Sequence, residues 1–163
     1  MADAMEQLYQ QVILDHSRSR HGAGEIEPFD AESFQVNPTC GDQVTLRVRL
    51  EHTAGAPTVA QVGWVGQGCS ISQASLSVLN DLVTGQDIAT VDRLNETFRE
   101  LMHNRGKELG ADKQDALEDA AAFVGVAKYP ARIKCALLGW MALRDALAHA
   151  LTAEPQEQTK ETA

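Results

Sequence analysis

Three cysteines and one aspartate are the residues of this chain best suited to chemistry. Cys40 and Asp42 stand two positions apart in Asn37-Pro38-Thr39-Cys40-Gly41-Asp42, a turn sequence that leads into an alternating apolar segment. Cys69 lies in Gly66-Gln67-Gly68-Cys69-Ser70-Ile71-Ser72, and Cys135 in Tyr129-Pro130-Ala131-Arg132-Ile133-Lys134-Cys135-Ala136. Each falls at the end of a predicted element. Together they would fill a tetrahedron around a metal that prefers thiolate, such as zinc, copper(I) or the iron of an iron–sulfur centre. The aspartate is the informative member. Purely structural zinc sites usually take four Cys/His ligands in close pairs. Here the pairs are absent, and a harder oxygen donor would occupy a corner that can open. Three thiolates and a carboxylate around a divalent ion leave a net negative charge, which Arg132 and Lys134 beside Cys135 would offset. Arg132→Ala is then expected to lower activity more than metal content.

Any one of these cysteines taken alone is more often core than ligand, because free cysteine is among the most buried residue types. Cys40 departs from that pattern, since Thr39, Gly41 and Asp42 make a poor core environment. Cys69 departs from it in part, and Cys135, in an apolar helical segment, least. Asp42 alone reads as a turn former. The five histidines, His16, His21, His52, His103 and His149, sit on polar stretches and read as solvated.

The frame for these residues is one domain. A chain of 163 residues can bury a core without disulfide staples. Its 44% apolar and 23% charged residues are ordinary for a globular domain. A net charge of −9 and a pI near 4.9 argue against a nucleic-acid surface. No apolar run is long enough for a bilayer, and the acidic start lacks the pattern of a signal peptide, so no membrane partner and a cytoplasmic location are expected. An odd, widely spaced set of cysteines does not read as a disulfide framework.

Periodicity predicts a first helix over 3–16, with Asp3 as N-cap and Met5, Leu8, Val12 and either Tyr9 or Ile13 on its buried stripe. A solvated loop over 17–24 and short extended structure over 33–36 follow. Val44, Leu46, Val48 and Leu50 alternate with polar residues, the clearest strand. A second strand over 60–65 turns Ala60, Val62 and Trp64 to one face and completes an antiparallel hairpin. The Cys40 and Cys69 segments then lie at the same end of that hairpin. A helix from Ile71 to Gly85 puts Cys69 at its N-terminus, where the dipole favours a thiolate. An acidic amphipathic helix ends near Gly106, with a loop over 106–115 and a short helical piece over 116–123. The last helix starts at Pro130 and buries Ile133, Leu137, Trp140, Leu147 and Leu151. The domain is expected over 1–152, with an acidic insertion at about 92–118 and a disordered tail over 153–163. No P-loop, dinucleotide fingerprint, zincin motif or nucleophile elbow is present.

Asn-Pro-Thr-Cys-Gly-Asp, Gly-Cys-Ser-Ile-Ser and Pro-Ala-Arg-Ile-Lys-Cys-Ala, in this order, resemble the SufU branch of the IscU/NifU N-terminal family. Leu8-Tyr9-Gln10-Gln11-Val12-Ile13-Leu14-Asp15-His16 resembles that family's first helix. The resemblance covers about residues 5–150. It implies a compact α+β fold, a small antiparallel sheet of about three strands with helices packed on it. It also implies that Cys40, Asp42, Cys69 and Cys135 are metal ligands, with zinc as the metal in this branch. Cys40 would be the sulfur acceptor, taking persulfide sulfur from a SufS-type, pyridoxal-phosphate-dependent cysteine desulfurase and serving the downstream Suf machinery of iron–sulfur cluster assembly. Arg132 could steer the incoming persulfide. Lys134 stands where IscU scaffolds have histidine, and the chaperone motif of those scaffolds is absent. Both differences favour sulfur relay over a scaffold for a [2Fe-2S] cluster on the same ligands, which remains the alternative. A structural zinc domain used only for protein contacts is the third reading.

Overall fold

A computed structural model of the chain describes residues 4–52 and 55–162, with side chains through residue 152. The elements are α1 (Ala4–Ser19), β1 (Ala31–Asn37), β2 (Asp42–Glu51), β3 (Thr58–Gln67), α2 (Ser70–Val83), α3 (Ile88–Met102), α4 (Ala111–Leu117) and α5 (Pro130–Thr162), with a 3₁₀ segment over Glu118–Lys128. The expected Asp3 cap, and the side chains of the expected tail over 153–163, lie outside the described residues.

The three strands form an antiparallel sheet in the order β1-β2-β3, the α+β architecture expected. In β2 the row Asp42, Val44, Leu46, Val48 and Leu50 is buried, while the residues between them are at least partly exposed. That period-two pattern fixes which face the helices cover. The register of β3 differs from simple alternation. Arg49 pairs with Gln61 and Leu50 with Val59, so Ala60 is an extra residue in a bulge. Val59, Val62 and Trp64 therefore point inward, and Ala60 does not belong to that row.

The segment over 17–24, expected to be a solvated loop, lies along the edge of β3. Gly24 N–H donates to the Trp64 carbonyl at 2.7 Å and Trp64 N–H to the Gly22 carbonyl at 3.1 Å. An edge strand presents unpaired backbone groups, and this loop satisfies two of them. Helix α1 buries Ile13 and His16, with Tyr9 and Val12 half-buried, whereas Met5 and Leu8 are exposed. The expected stripe is thus rotated toward the C-terminal half of the helix.

The acidic helix α3 is capped by Asp87, whose carboxylate accepts from Thr90 N–H at 2.7 Å. Its buried stripe of Val91, Leu94, Phe98, Leu101 and Met102 enters the core, where the Phe98 ring stacks on Trp140 with centroids 4.6 Å apart. Two local expectations are met only in part here. Part of the anticipated loop over 106–115 belongs to α4, a short helix with one buried apolar residue, Leu117, too little to register as a periodic stripe. The helical piece expected over 116–123 is present but longer, formed by the end of α4 and a 3₁₀ segment reaching Lys128, in which seven of eleven residues are buried.

Helix α5 is the central element, and its buried face is wider than predicted. Ala136, Leu138, Ala142, Leu143, Ala146 and Ala150 join Trp140 and Leu147 in the core, while Leu151 is exposed. A buried polar tie holds α5 to α2 and α3. Ser75 Oγ donates to the Ala136 carbonyl at 2.6 Å, Trp140 Nε1 donates to Ser75 Oγ at 3.1 Å, and Asn95 Nδ2 donates to the Trp140 carbonyl at 3.2 Å. Gly139 permits the close approach of α5 to α2, because a Cβ there would stand 2.8 Å from Leu76 Cγ. Gly139→Val is expected to destabilise the fold by about 1–3 kcal/mol through overpacking, read as a lower urea midpoint at unchanged slope.

Candidate metal centre

The site is built at one end of the sheet, where the β1–β2 turn meets the start of α2 and of α5. The turn Pro38–Gly41 is closed by the pair Asn37 and Asp42. Gly41 N–H donates to the Asn37 carbonyl at 2.8 Å, and Thr39 N–H donates to Asn37 Oδ1 at 3.1 Å. Gly41 has φ of +79°, the left-handed region where glycine is favoured. This tight turn holds Cys40 out as an exposed free thiol.

Asp42 is the first residue of β2 and belongs to its inward row, so its carboxylate is buried under the helices. Its Oδ1 accepts from Cys69 N–H at 3.3 Å, and its Oδ2 lies 3.5 Å from Cys69 Sγ. Cys69 is the N-cap residue of α2 and is exposed, as expected from its position after the hairpin. Gly68 keeps the two segments close, since a Cβ there would strike Ser72 Oγ and stand 3.1 Å from Asp42 Cγ.

Cys135 comes from the second turn of α5 and is buried. Its Sγ lies 3.5 Å from Cys40 Sγ and 3.7 Å from the Ala131 carbonyl. Burial pushes the Cys135 thiol well above the ordinary range, and its hydrogen bonds with Cys40, Asp42 and Cys69 add to the effect.

The donor set fits a thiophilic metal. Donor atoms of Cys40, Asp42 and Cys135 lie within 4.8 Å of one another, and Cys69 joins through its contact with Asp42. A tetrahedral zinc with Zn–S near 2.3 Å and Zn–O near 2.1 Å separates sulfurs by about 3.8 Å and sulfur from oxygen by about 3.6 Å. The observed 3.5 Å for each kind of pair is close to both. Asn37 Nδ2 adds a buried donor without a hydrogen-bond partner.

Arg132 is exposed and lines a cleft of about 890 Å³ that Cys69 also lines, together with Tyr9, Ile13, Ile71 and Tyr129. Lys134 is exposed as well. Among the described residues neither makes a hydrogen bond or ion pair with the four donors.

A second group, His16, His21 and Asp81, was hidden in the sequence because its members come from α1, the following loop and α2. His16 is buried, contrary to the solvated reading. Its Nδ1 meets Ser77 Oγ at 2.8 Å and its Nε2 meets Asp119 Oδ2 at 2.8 Å. Both ring nitrogens are engaged, so His16 serves as a tie between α1, α2 and the 3₁₀ segment.

The fold is an α+β domain that gathers Cys40, Asp42 and Cys135, with Cys69 beside Asp42, at a hairpin turn and two helix starts, a group that could hold a metal. A family model described as the NifU-like N-terminal domain matches residues 8–136. The zinc-dependent sulfurtransferase SufU of Bacillus subtilis (strain 168) is 38% identical over 144 residues, covering 88% of this chain and 92% of that protein. The iron–sulfur cluster assembly scaffold protein IscU of Streptococcus pyogenes serotype M1 is 35% identical over 150 residues, covering 92% and 89%. A solved structure from Fervidobacterium islandicum AW-1, described as a cluster assembly scaffold for the SUF system, superposes with a TM-score of 0.72 at 30% identity, covering 87% of this chain and 98% of that one. The chain belongs to the NifU-like N-terminal domain family, the IscU/SufU family of iron–sulfur cluster assembly proteins. No described helix is long and apolar enough to cross a membrane.

Burial and the raised Cys135 thiol predict an order of reactivity. In metal-stripped protein at pH 8, iodoacetamide should modify Cys40 and Cys69 first and Cys135 last, as read by peptide mass spectrometry. Raising the pH to 9 should leave Cys135 slow, because burial holds its folded thiol protonated above that range.

Proposed function

We propose that this chain is a zinc-dependent sulfur acceptor, taking persulfide sulfur from a SufS-type, pyridoxal-phosphate-dependent cysteine desulfurase and passing it to the downstream Suf assembly machinery in the cytoplasm. The observation that carries this reading is the contrast within one donor set. Cys40 is exposed at a turn apex while its sulfur lies 3.5 Å from the buried Cys135. One donor can therefore leave the set while Asp42 and Cys135 stay anchored in the core.

The ligands in this reading are Cys40, Asp42, Cys69 and Cys135. Zinc, when bound, keeps the sulfurs as thiolates at neutral pH. The Cys40 thiolate attacks the outer sulfur of the desulfurase persulfide. A new S–S bond forms on Cys40 as the partner's S–S bond breaks, and the partner cysteine departs as a thiolate. Atoms and electrons balance without an added oxidant or reductant. Asp42 keeps its neighbours in register while the turn moves. Arg132, on the cleft beside Cys69, offers a positive charge to the approaching persulfide. Similarity to a zinc-dependent sulfurtransferase and the lysine at position 134 support this reading.

The scaffold reading draws on the similarity to IscU proteins and on the same donors. Metal analysis and desulfurase assays separate the two. Protein isolated without added metal should carry one zinc per chain and no visible colour, and should stimulate cysteine desulfurase turnover. Iron with inorganic sulfide would move the assignment to the scaffold. Cys40→Ala should abolish sulfur acceptance, by at least about 100-fold, while far-UV CD stays unchanged. Loss of folding in Cys40→Ser equal to that in Cys135→Ser would instead indicate a structural zinc domain. Arg132→Ala should slow sulfur transfer about 10-fold with zinc content retained, measured by persulfide labelling and metal analysis in parallel.

A further inference from the structure

Outside the thiolate group, the described residues hold one other set of donors close enough to share a metal: His16 near the end of α1, His21 in the loop after it and Asp81 on α2. Each offers one donor atom within 4.8 Å of the other two. The two imidazole rings meet edge to face with centroids 5.3 Å apart, and His21 Nδ1 lies 2.8 Å from Asp81 Oδ2. His16 is buried, whereas the side chains of His21 and Asp81 are exposed. The set is therefore anchored in the core on one side and open to water on the other.

Neighbouring groups hold these donors in place. A carboxylate only accepts, so His16 Nε2–H donates to Asp119 Oδ2 at 2.8 Å, and Nδ1 of the neutral ring carries the lone pair. A carboxylate on the far nitrogen is a usual outer partner of a metal-binding histidine. Nδ1 meets Ser77 Oγ at 2.8 Å. Ser77 stands one turn before Asp81 on α2, and its Oγ accepts from His21 N–H at 3.0 Å. Nδ1 is thus the His16 nitrogen on the side of His21 and Asp81. The His21 backbone is fixed at both ends, since its carbonyl accepts from Trp64 Nε1 at 2.9 Å.

We propose that His16, His21 and Asp81 form a second metal site, separate from the thiolate group, for a borderline divalent transition ion such as Fe²⁺, Ni²⁺ or Zn²⁺. Imidazole suits these ions, whereas Mg²⁺ and Ca²⁺ take oxygen donors. Ligand bonds near 2.1 Å need donors about 3.0–3.4 Å apart. The exposed His21 and Asp81 side chains can close onto His16 to reach that spacing. On binding, the Nδ1 hydrogen of His21 passes to Nε2 through solvent, so the ring stays neutral. Ser77 gives up His16 Nδ1 and turns its hydroxyl to the carbonyl one turn earlier, a usual partner for serine in a helix. No buried group is left stranded. Asp119 keeps His16 oriented throughout, as a positioning residue. Three donors and open positions make this the weaker, more exchangeable site, and it does not rest on the sulfur-acceptor reading.

The test adds Ni²⁺ to the full chain as isolated, with uptake read by calorimetry and the histidine rings by NMR. One Ni²⁺ per chain should bind beyond the metal already carried. Its paramagnetism should broaden the His16 and His21 ring signals before those of His52, His103 and His149. His21→Ala and Asp81→Ala, at exposed positions, should each weaken binding at least about 10-fold. Asp119→Ala, which removes only the outer carboxylate, should weaken it about 10-fold. Cys40→Ala should leave it unchanged. Uptake that survives both His21→Ala and Asp81→Ala would overturn the proposal. So would uptake that falls with Cys40→Ala, since that places Ni²⁺ on the thiolate group. Absence of further uptake would overturn it too, while leaving the thiolate site standing.

Discussion

The carboxylate of Asp42 links the sheet to the helices at the site. It stands on the same inward row as Val44, Leu46, Val48 and Leu50, so the packing that buries those side chains also buries Asp42. From there its two oxygens reach the backbone N–H and the sulfur of Cys69. A carboxylate buried this way is costly unless its oxygens are occupied. The start of α2 supplies one partner, and a bound cation would supply a stronger one. Moving Asp42 by one residue in register would turn it to solvent and separate Cys69 from the Cys40 turn.

The remaining donors are held by packing of a different kind. Cys135 depends on the placement of α5, which is locked at Gly139 against Leu76 and by the Ser75, Trp140 and Asn95 hydrogen bonds. Cys69 and Cys135 both belong to the opening residues of helices, α2 and α5. Cys40 lies instead on an exposed turn. The site is therefore buried on the core side and exposed on the solvent side. The proposed sulfur relay would use that asymmetry.

Away from the site, polar ties and ring contacts join the helices to one another. His16 joins α1 to α2 and to Asp119 at the start of the 3₁₀ segment, and the α3 stripe enters the core beside Trp140. The α3 ring contacts reach the same helix that carries Cys135. The acidic helix thus braces α5 while leaving its charged face on the surface.

Local patterns in the chain already determined the α+β class, the alternation of β2, the start of α5 at Pro130 and the cap of α2 at Cys69. These depend on neighbours two to four residues away, so a sequence displays them directly. The cysteine motifs also pointed to Cys40, Asp42, Cys69 and Cys135, of which the fold brings Cys40, Asp42 and Cys135 within 4.8 Å of one another and sets Cys69 beside Asp42. Tertiary structure alone decided the bulge that exchanges Ala60 for Val59, the loop that pairs with Trp64 and the burial of His16. It also set the 3.5 Å approach of Cys40 to Cys135, the exposure contrast between them and the unpartnered amide of Asn37. Each of those depends on segments far apart in the chain, and their meeting is set by how whole faces pack. Parity along β1 and β2 carried a readable hint, since Asn37 and Asp42 share rows with core residues. What those rows face is a property of the folded protein, because only packing brings α5 across them.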